Sequence, residues 1–149
     1  MRESFGGAFM IRLVLIFIVL YISFMAVAVN YAKVFRIKNH IINMLEQHQY
    51  NYKVDGKDTT SGVIKKIDEY LDDVHYTVDD TNTSNDCTNN KSGVWVPHGA
   101  CIVPDKSCTE DSCYYKVIVY IVIDFPFEVE GVANVNNLPI SGETKTIVY

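Results

Sequence analysis

The chain has 149 residues, 48% of them hydrophobic and 21% charged, which leaves room for one modest domain beyond any long apolar segment. Its formal net charge of −5 is unevenly spread: residues 1–49 carry five basic and two acidic side chains (+3), residues 50–149 eight basic and sixteen acidic (−8). The acidic C-terminal part lacks the basic footprint of a nucleic-acid binder and excludes that class of partner.

Residues 1–7 (MRESFGG) are polar and end in two glycines, so a helix is expected to begin near Ala8. Residues 13–32 (LVLIFIVLYISFMAVAVNYA) are uncharged and apolar. At about 1.5 Å per residue, such a helix is as long as a bilayer's hydrocarbon core is thick, roughly 30 Å. The run is longer than the apolar core of a secretory signal, about 7–15 residues, and no small-x-small cleavage site follows it. A retained, membrane-spanning helix is therefore expected, with Arg12 reaching to the headgroups at its start.

Beyond Ala32 the pattern turns amphipathic. Val34, Ile37, Ile41 and Met44/Leu45 recur at spacings of three and four, with Lys33, Arg36, Lys38, Asn39 and Glu46 between them. No Pro or Gly interrupts the chain from Ala8 to Val54, so one helix over residues 8–48 is expected, much longer than an ordinary globular helix.

Residues 47–60 read as a connector with an Asp55-Gly56 turn. A second helix follows, capped by Thr60 or Ser61, with Val63, Ile64, Ile67, Tyr70, Leu71 and Val74 on its apolar face. Acids at its C-terminal end oppose the helix dipole, so its last turn is expected to fray or to be held by tertiary contacts. Residues 77–92, rich in Asn, Asp, Thr and Ser, read as a polar loop, with Asn-x-Ser/Thr triplets at Asn82 and Asn90.

All four cysteines, Cys87, Cys101, Cys108 and Cys113, lie in one short window. An even count in a small domain behind an apolar helix points to two disulfides and an oxidising compartment. The order Cys87–Cys101 with Cys108–Cys113 is preferred among three possible connectivities, and spacing alone leaves the other two open. The rival reading, a four-cysteine zinc site, lacks a Cys-x2-Cys knuckle.

Short strands are expected at residues 94–96 and 100–103. The strongest strand signal is residues 114–123 (YYKVIVYIVI), whose single charge, Lys116, implies that both faces are covered. Residues 127–132 are a further strand candidate. The tail, residues 138–149, should pair antiparallel with 114–123, with Thr144, Thr146 and Val148 alternating with Lys145, Ile147 and Tyr149.

No chemistry-bearing constellation emerges. His40, His48, His75 and His98 stand apart, with no His-Glu-x-x-His or Cys-His arrangement. Gly6-Gly7 and Ser141-Gly142-Glu143 fit no phosphate loop. The acids Asp68, Glu69, Asp72, Asp73, Asp79 and Asp80 lack the spacing of a calcium loop and read as a solvated face. Trp95 and the ten tyrosines could form a carbohydrate-binding surface, but read first as core and edge packing. Catalytic, metal-binding and cofactor-binding residues are expected to be none, and the chain is not expected to be an enzyme. The expected architecture is α+β: a leader (1–7), a transmembrane and amphipathic stalk helix (8–48), and a small antiparallel domain (49–149) with a second short helix and disulfides.

Two blocks, residues 6–47 (GGAFMIRLVLIFIVLYISFMAVAVNYAKVFRIKNHIINMLEQ) and the pairing of YYKVIVYIVIDFPF with LPISGETKTIVY, give a layout that resembles the type IV filament superfamily, and more narrowly the Tad (Flp-type) minor pilins or TadE-like pseudopilins. The likeness covers the two ends of the chain and not its middle. It implies a structural subunit of a surface filament, cleaved by a prepilin peptidase after Gly7 so that Ala8 becomes the first residue. It also implies that the apolar helix packs against other pilin subunits through a stripe of Ile11, Leu15, Ile18, Ile22 and Met25. The family usually carries a Glu at the fifth mature position, where this chain has Arg12. Two roles are open to Arg12: pairing with a glutamate of a neighbouring subunit, or snorkelling at the membrane boundary.

The expected partners are membrane lipid, other pilin subunits, the peptidase and the assembly machinery. Lys33, Arg36 and Lys38 after the apolar run would favour a cytoplasmic C-terminal side, while Arg2 and Arg12 argue the reverse. The cysteines decide for a cytoplasmic N-terminus and an extracytoplasmic domain. The alternative function is a single-pass membrane protein whose outer domain binds a ligand or partner.

Overall fold

A computed structural model describes residues 2–51, 62–78, 81–109, 111–121 and 138–149. The chain is α+β: one long apolar N-terminal helix, short helices, a small antiparallel sheet and two disulfides.

Helix α1 (Arg2–Gln47) is continuous for 46 residues, about 69 Å at the usual rise. It begins earlier than the expected Ala8. Gly6 and Gly7 weaken a helix by about 1 kcal/mol each, but unlike proline they keep their N–H donors, so the ladder runs through them. Its two halves have opposite fates. Val34, Ile37, Ile41 and Leu45 are buried at the expected spacing and form one wall of the core. Each fully buried side chain of this size stabilises by about 2 kcal/mol. The N-terminal half stands clear of the domain.

The wall packs on a four-stranded antiparallel sheet of order β1 (Val94–Val96), β2 (Ala100–Pro104), β4 (Tyr115–Ile121), β5 (Leu138–Glu143). Strand β4 is central, and every residue in it except Lys116 is buried, as its two-faced apolar character requires. Lys116 lies opposite Glu143, a favourable cross-strand pair. Gly142 brings β5 onto α1: a Cβ there would stand 3.0 Å from the ends of Lys38 and Ile42.

Helix α2 (Gly62–Asp73) buries Val63, Ile64, Ile67 and Leu71 against α1 and β1. Lys66 Nζ donates to His48 Nε2 (2.9 Å) and joins the end of α1 to α2. Both helices close in the same way. Tyr50 N–H reaches back to the Leu45 carbonyl and Tyr76 N–H to that of Leu71, with Gln49 and His75 at positive φ (46° and 50°). These are Schellman turns whose apolar pairs, Leu45/Tyr50 and Leu71/Tyr76, are all buried. The acidic end of α2 is held by tertiary contact, one of the two outcomes expected: His98 Nδ1 donates to Asp68 Oδ1 at 2.6 Å, and His98 Nε2 lies 3.7 Å from Asp72.

The polar stretch 77–92 is not simply a loop. It contains a short helix α3 (Thr81–Asn85) that passes into a π-turn (Asp86–Asn90). Weak propensity is offset locally. Thr88 Oγ1 donates to the Ser84 carbonyl, Asn90 and Lys91 both bond the Asp86 carboxylate, and Cys87 is bolted to β2.

The tail departs from the expected single alternating strand. Strand β5 ends at Glu143, and residues 147–148 form β6 (Ile147–Val148), paired with β3 (Ser112–Cys113) in a separate two-stranded sheet. Thr144 causes the break. It turns inward, its N–H donating to the Tyr115 carbonyl (2.9 Å) and its Oγ1 accepting the Tyr115 N–H (2.9 Å), so a side chain completes the rung. The expected strand at residues 127–132, the cap at Thr60 or Ser61 and the Asp55-Gly56 turn lie outside the described residues.

Candidate functional site

The feature that most needs a partner is the free half of α1. Ile11, Leu15 and Ile22 are 65%, 57% and 53% exposed, against 2% for Ile37 and 0% for Ile41 on the same helix. Ile18 and Met25 are exposed as well. The expected stripe of Ile11, Leu15, Ile18, Ile22 and Met25 does lie along the free half, but Phe17, Leu20 and Phe24 on other faces are equally bare. The segment is thus apolar all round, the pattern of a helix immersed in hydrocarbon or packed on several sides. It is long and apolar enough to cross a membrane. Ser23, its one hydroxyl residue other than tyrosine between Gly7 and Ala32, satisfies itself by donating to the Val19 carbonyl at 2.9 Å.

Arg12 is exposed and has no ion pair among the described residues. Gly7 and Ala8 are exposed within α1, and a Cβ on Gly7 would meet nothing within 4 Å. A peptidase acting there would find an open surface but a helical peptide bond, so cleavage requires about a turn of local unwinding.

Where α1 enters the domain, a cleft of about 420 Å³ opens against the end of α2. Val29, Ala32, Lys33, Arg36 and Ile37 line it from α1, and Tyr70 and Val74 from the other side. The α1 members follow the i, i+3, i+4, i+7, i+8 pattern of a single helix face. Lys33 Nζ, one of the lining groups, donates to the His75 carbonyl at 3.5 Å. Burial raises the Tyr70 hydroxyl above its ordinary range, and its ring lies 4.1 Å from that of His40. Sequence reasoning missed this cleft, although the five-residue pattern on α1 was readable.

The cysteines pair as Cys87–Cys101 and Cys108–Cys113, which leaves no thiolate for the rival zinc site. Among the described residues no three His, Cys, Asp or Glu side chains converge as metal ligands. His98 is brought to Asp68 and Asp72, a contact not foreseen, and there it ties the β1–β2 turn to α2. Trp95 packs beside Tyr120, ring centroids 6.1 Å apart, and the Tyr115 and Tyr149 hydroxyls share a hydrogen bond of 2.5 Å while Tyr149 donates to the Tyr50 carbonyl at 3.1 Å. These aromatics are engaged in packing.

No family model, curated protein or solved structure matches the chain.

Proposed function

We propose that this chain is a membrane-anchored structural subunit, a minor pilin or pseudopilin of a Tad-like type IV surface filament. One observation carries the reading: a single unbroken helix is bare and apolar over its first half and supplies the core wall of a small disulfide-bearing sheet over its second. Such a helix can be stored in lipid and later exchange lipid contacts for helix–helix contacts without any change in the domain it carries. The reading places the N-terminus in the cytoplasm and the domain outside, where its two disulfides persist. Arg12 then sits at the inner end of the span, free either to pair with an acid of a neighbouring subunit or to reach the headgroups.

Mass spectrometry of the protein isolated from its native membrane tests the processing step. A chain beginning at Ala8 supports the pilin reading. A chain that retains Met1 sinks it, and leaves a single-pass membrane protein with a partner-binding outer domain.

A further inference from the structure

We propose that the cleft between α1 and the end of α2 binds one anionic phospholipid, its phosphate held by Lys33 and Arg36 and an acyl chain lying along Val29 and Ala32. The proposal rests on the anchoring part of the proposed function and not on filament assembly.

Depth is the first argument. From Arg12 to Lys33 the helix climbs 21 residues, about 31 Å, which matches a hydrocarbon core of roughly 30 Å. Lys33 therefore stands at the upper edge of the core. Arg36 is about 4.5 Å further along the axis, within the headgroup layer of roughly 5–7 Å. Val29 and Ala32 lie below them on the same face, at acyl-chain level. The cleft is thus graded from apolar to cationic along the direction in which a phospholipid is graded from tail to phosphate.

Charge is the second argument. The part of the chain after residue 49 carries a formal −8, yet the two cations of the cleft are not neutralised by it. Among the described residues Arg36 has no hydrogen bond or ion pair, and Lys33 has only its long contact to the His75 carbonyl. The acids of α2 are engaged elsewhere: Asp68 and Asp72 face His98, and Glu69 lies 3.8 Å from Lys65, leaving Asp73 as the one α2 acid without such a contact among the described residues. Tyr70, which lines the cleft, carries a hydroxyl and adds no charge to it.

Native mass spectrometry of the full chain, extracted in detergent and titrated with phosphatidylglycerol or phosphatidylcholine, tests the site. Two cations at a headgroup predict that one phosphatidylglycerol is retained about thirtyfold more tightly than phosphatidylcholine. Lys33→Gln with Arg36→Gln should bring the two lipids to within about twofold, and Lys106→Gln, on an exposed turn of the domain, should change nothing. Ala32→Trp, which fills the apolar floor and leaves both cations in place, should also lose the bound lipid. Inorganic phosphate in excess should leave the lipid bound. Displacement by phosphate would mark a plain anion site and overturn the lipid assignment, as would equal retention of the two lipids or a preference that survives the double substitution. A wild-type chain absent from the membrane fraction would instead overturn the anchoring reading, so the two failures are distinguishable.

Discussion

The Tyr76 hydroxyl serves both backbone groups of Tyr120: it donates to the carbonyl at 2.7 Å and accepts from the N–H at 3.0 Å. Strand β2 begins at Ala100, opposite Val119, so at Tyr120 a phenol takes the place of the next strand residue. Both Tyr120 groups are therefore turned away from β5, and Pro139, which lies opposite Tyr120, loses no ladder bond to β4 by lacking an N–H. Tyr76→Phe removes both of these hydrogen bonds from buried backbone groups. It should destabilise the full chain by about 2–4 kcal/mol, read as a lower midpoint in denaturant unfolding.

The same hydroxyl sets an alkaline limit. Burial raises the Tyr76 hydroxyl far above its ordinary value, and burial together with the Tyr115 hydrogen bond raises Tyr149. A folded-state value raised above the unfolded one contributes stability that is fully present below the unfolded value, about 10, and is lost as pH rises above it. Unfolding midpoints should fall steadily above about pH 10, and Tyr76→Phe should flatten that slope. At the acid end, Asp86 is held low by its Lys91 and Asn90 hydrogen bonds and Asp105 by the Ser107 N–H and hydroxyl. Their contribution is present above the ordinary carboxylate value, about 4, and is lost as pH falls below it.

Removing the disulfides should not have equal effects. Cys87–Cys101 spans 14 residues in sequence and Cys108–Cys113 spans 5. Loop entropy predicts a loss of about 3 kcal/mol for the first and about 2 kcal/mol for the second when each pair is replaced by serine. Gly93→Ala should reproduce part of the first effect, because its Cβ would stand 2.9 Å from the Ile102 carbonyl and 3.0 Å from both sulfurs of Cys87 and Cys101. Overpacking of that kind costs about 1–3 kcal/mol.

Gln49 and His75 hold left-handed backbone at the two helix ends without being glycine. Gln49→Gly and His75→Gly should each raise stability by about 0.5 kcal/mol, since relief of the left-handed penalty slightly exceeds the extra entropy glycine gives the unfolded chain. Thermal unfolding followed by near-UV circular dichroism of the detergent-solubilised chain reads the shift.

Periodicity made the two main helices and the central strand legible, because Val34, Ile37, Ile41 and Leu45, and Val63, Ile64, Ile67 and Leu71, repeat at the spacing of the face they bury. What sequence pattern could not supply were rungs made by side chains. Thr144 ends β5 by bonding Tyr115, 29 residues away, and Tyr76 completes β4 from 44 residues away. Neither contact leaves a local mark. The coil at residues 81–90 was hidden for a related reason: its stabilisers are short-range bonds from polar side chains that usually signal loops, together with one disulfide. The exposed stripe of Ile11, Leu15, Ile18, Ile22 and Met25 was legible as apolar, but its neighbours on every other face are apolar too, so no single direction stands out.

From Ala8 to Gln47 there is no glycine or proline, and α1 passes from its bare half into the core wall without a joint. The domain has no swivel. In a bilayer, any lean of the span becomes the same lean of the sheet, and any rotation of the helix about its axis carries the sheet round with it. A pull on the outer domain is delivered along the α1 axis as a shaft load instead of being absorbed by a hinge. Inserting two glycines after Ala32 would convert that shaft into a flexible tether, and would also part Val29 and Ala32 from Lys33 and Arg36 on the cleft face.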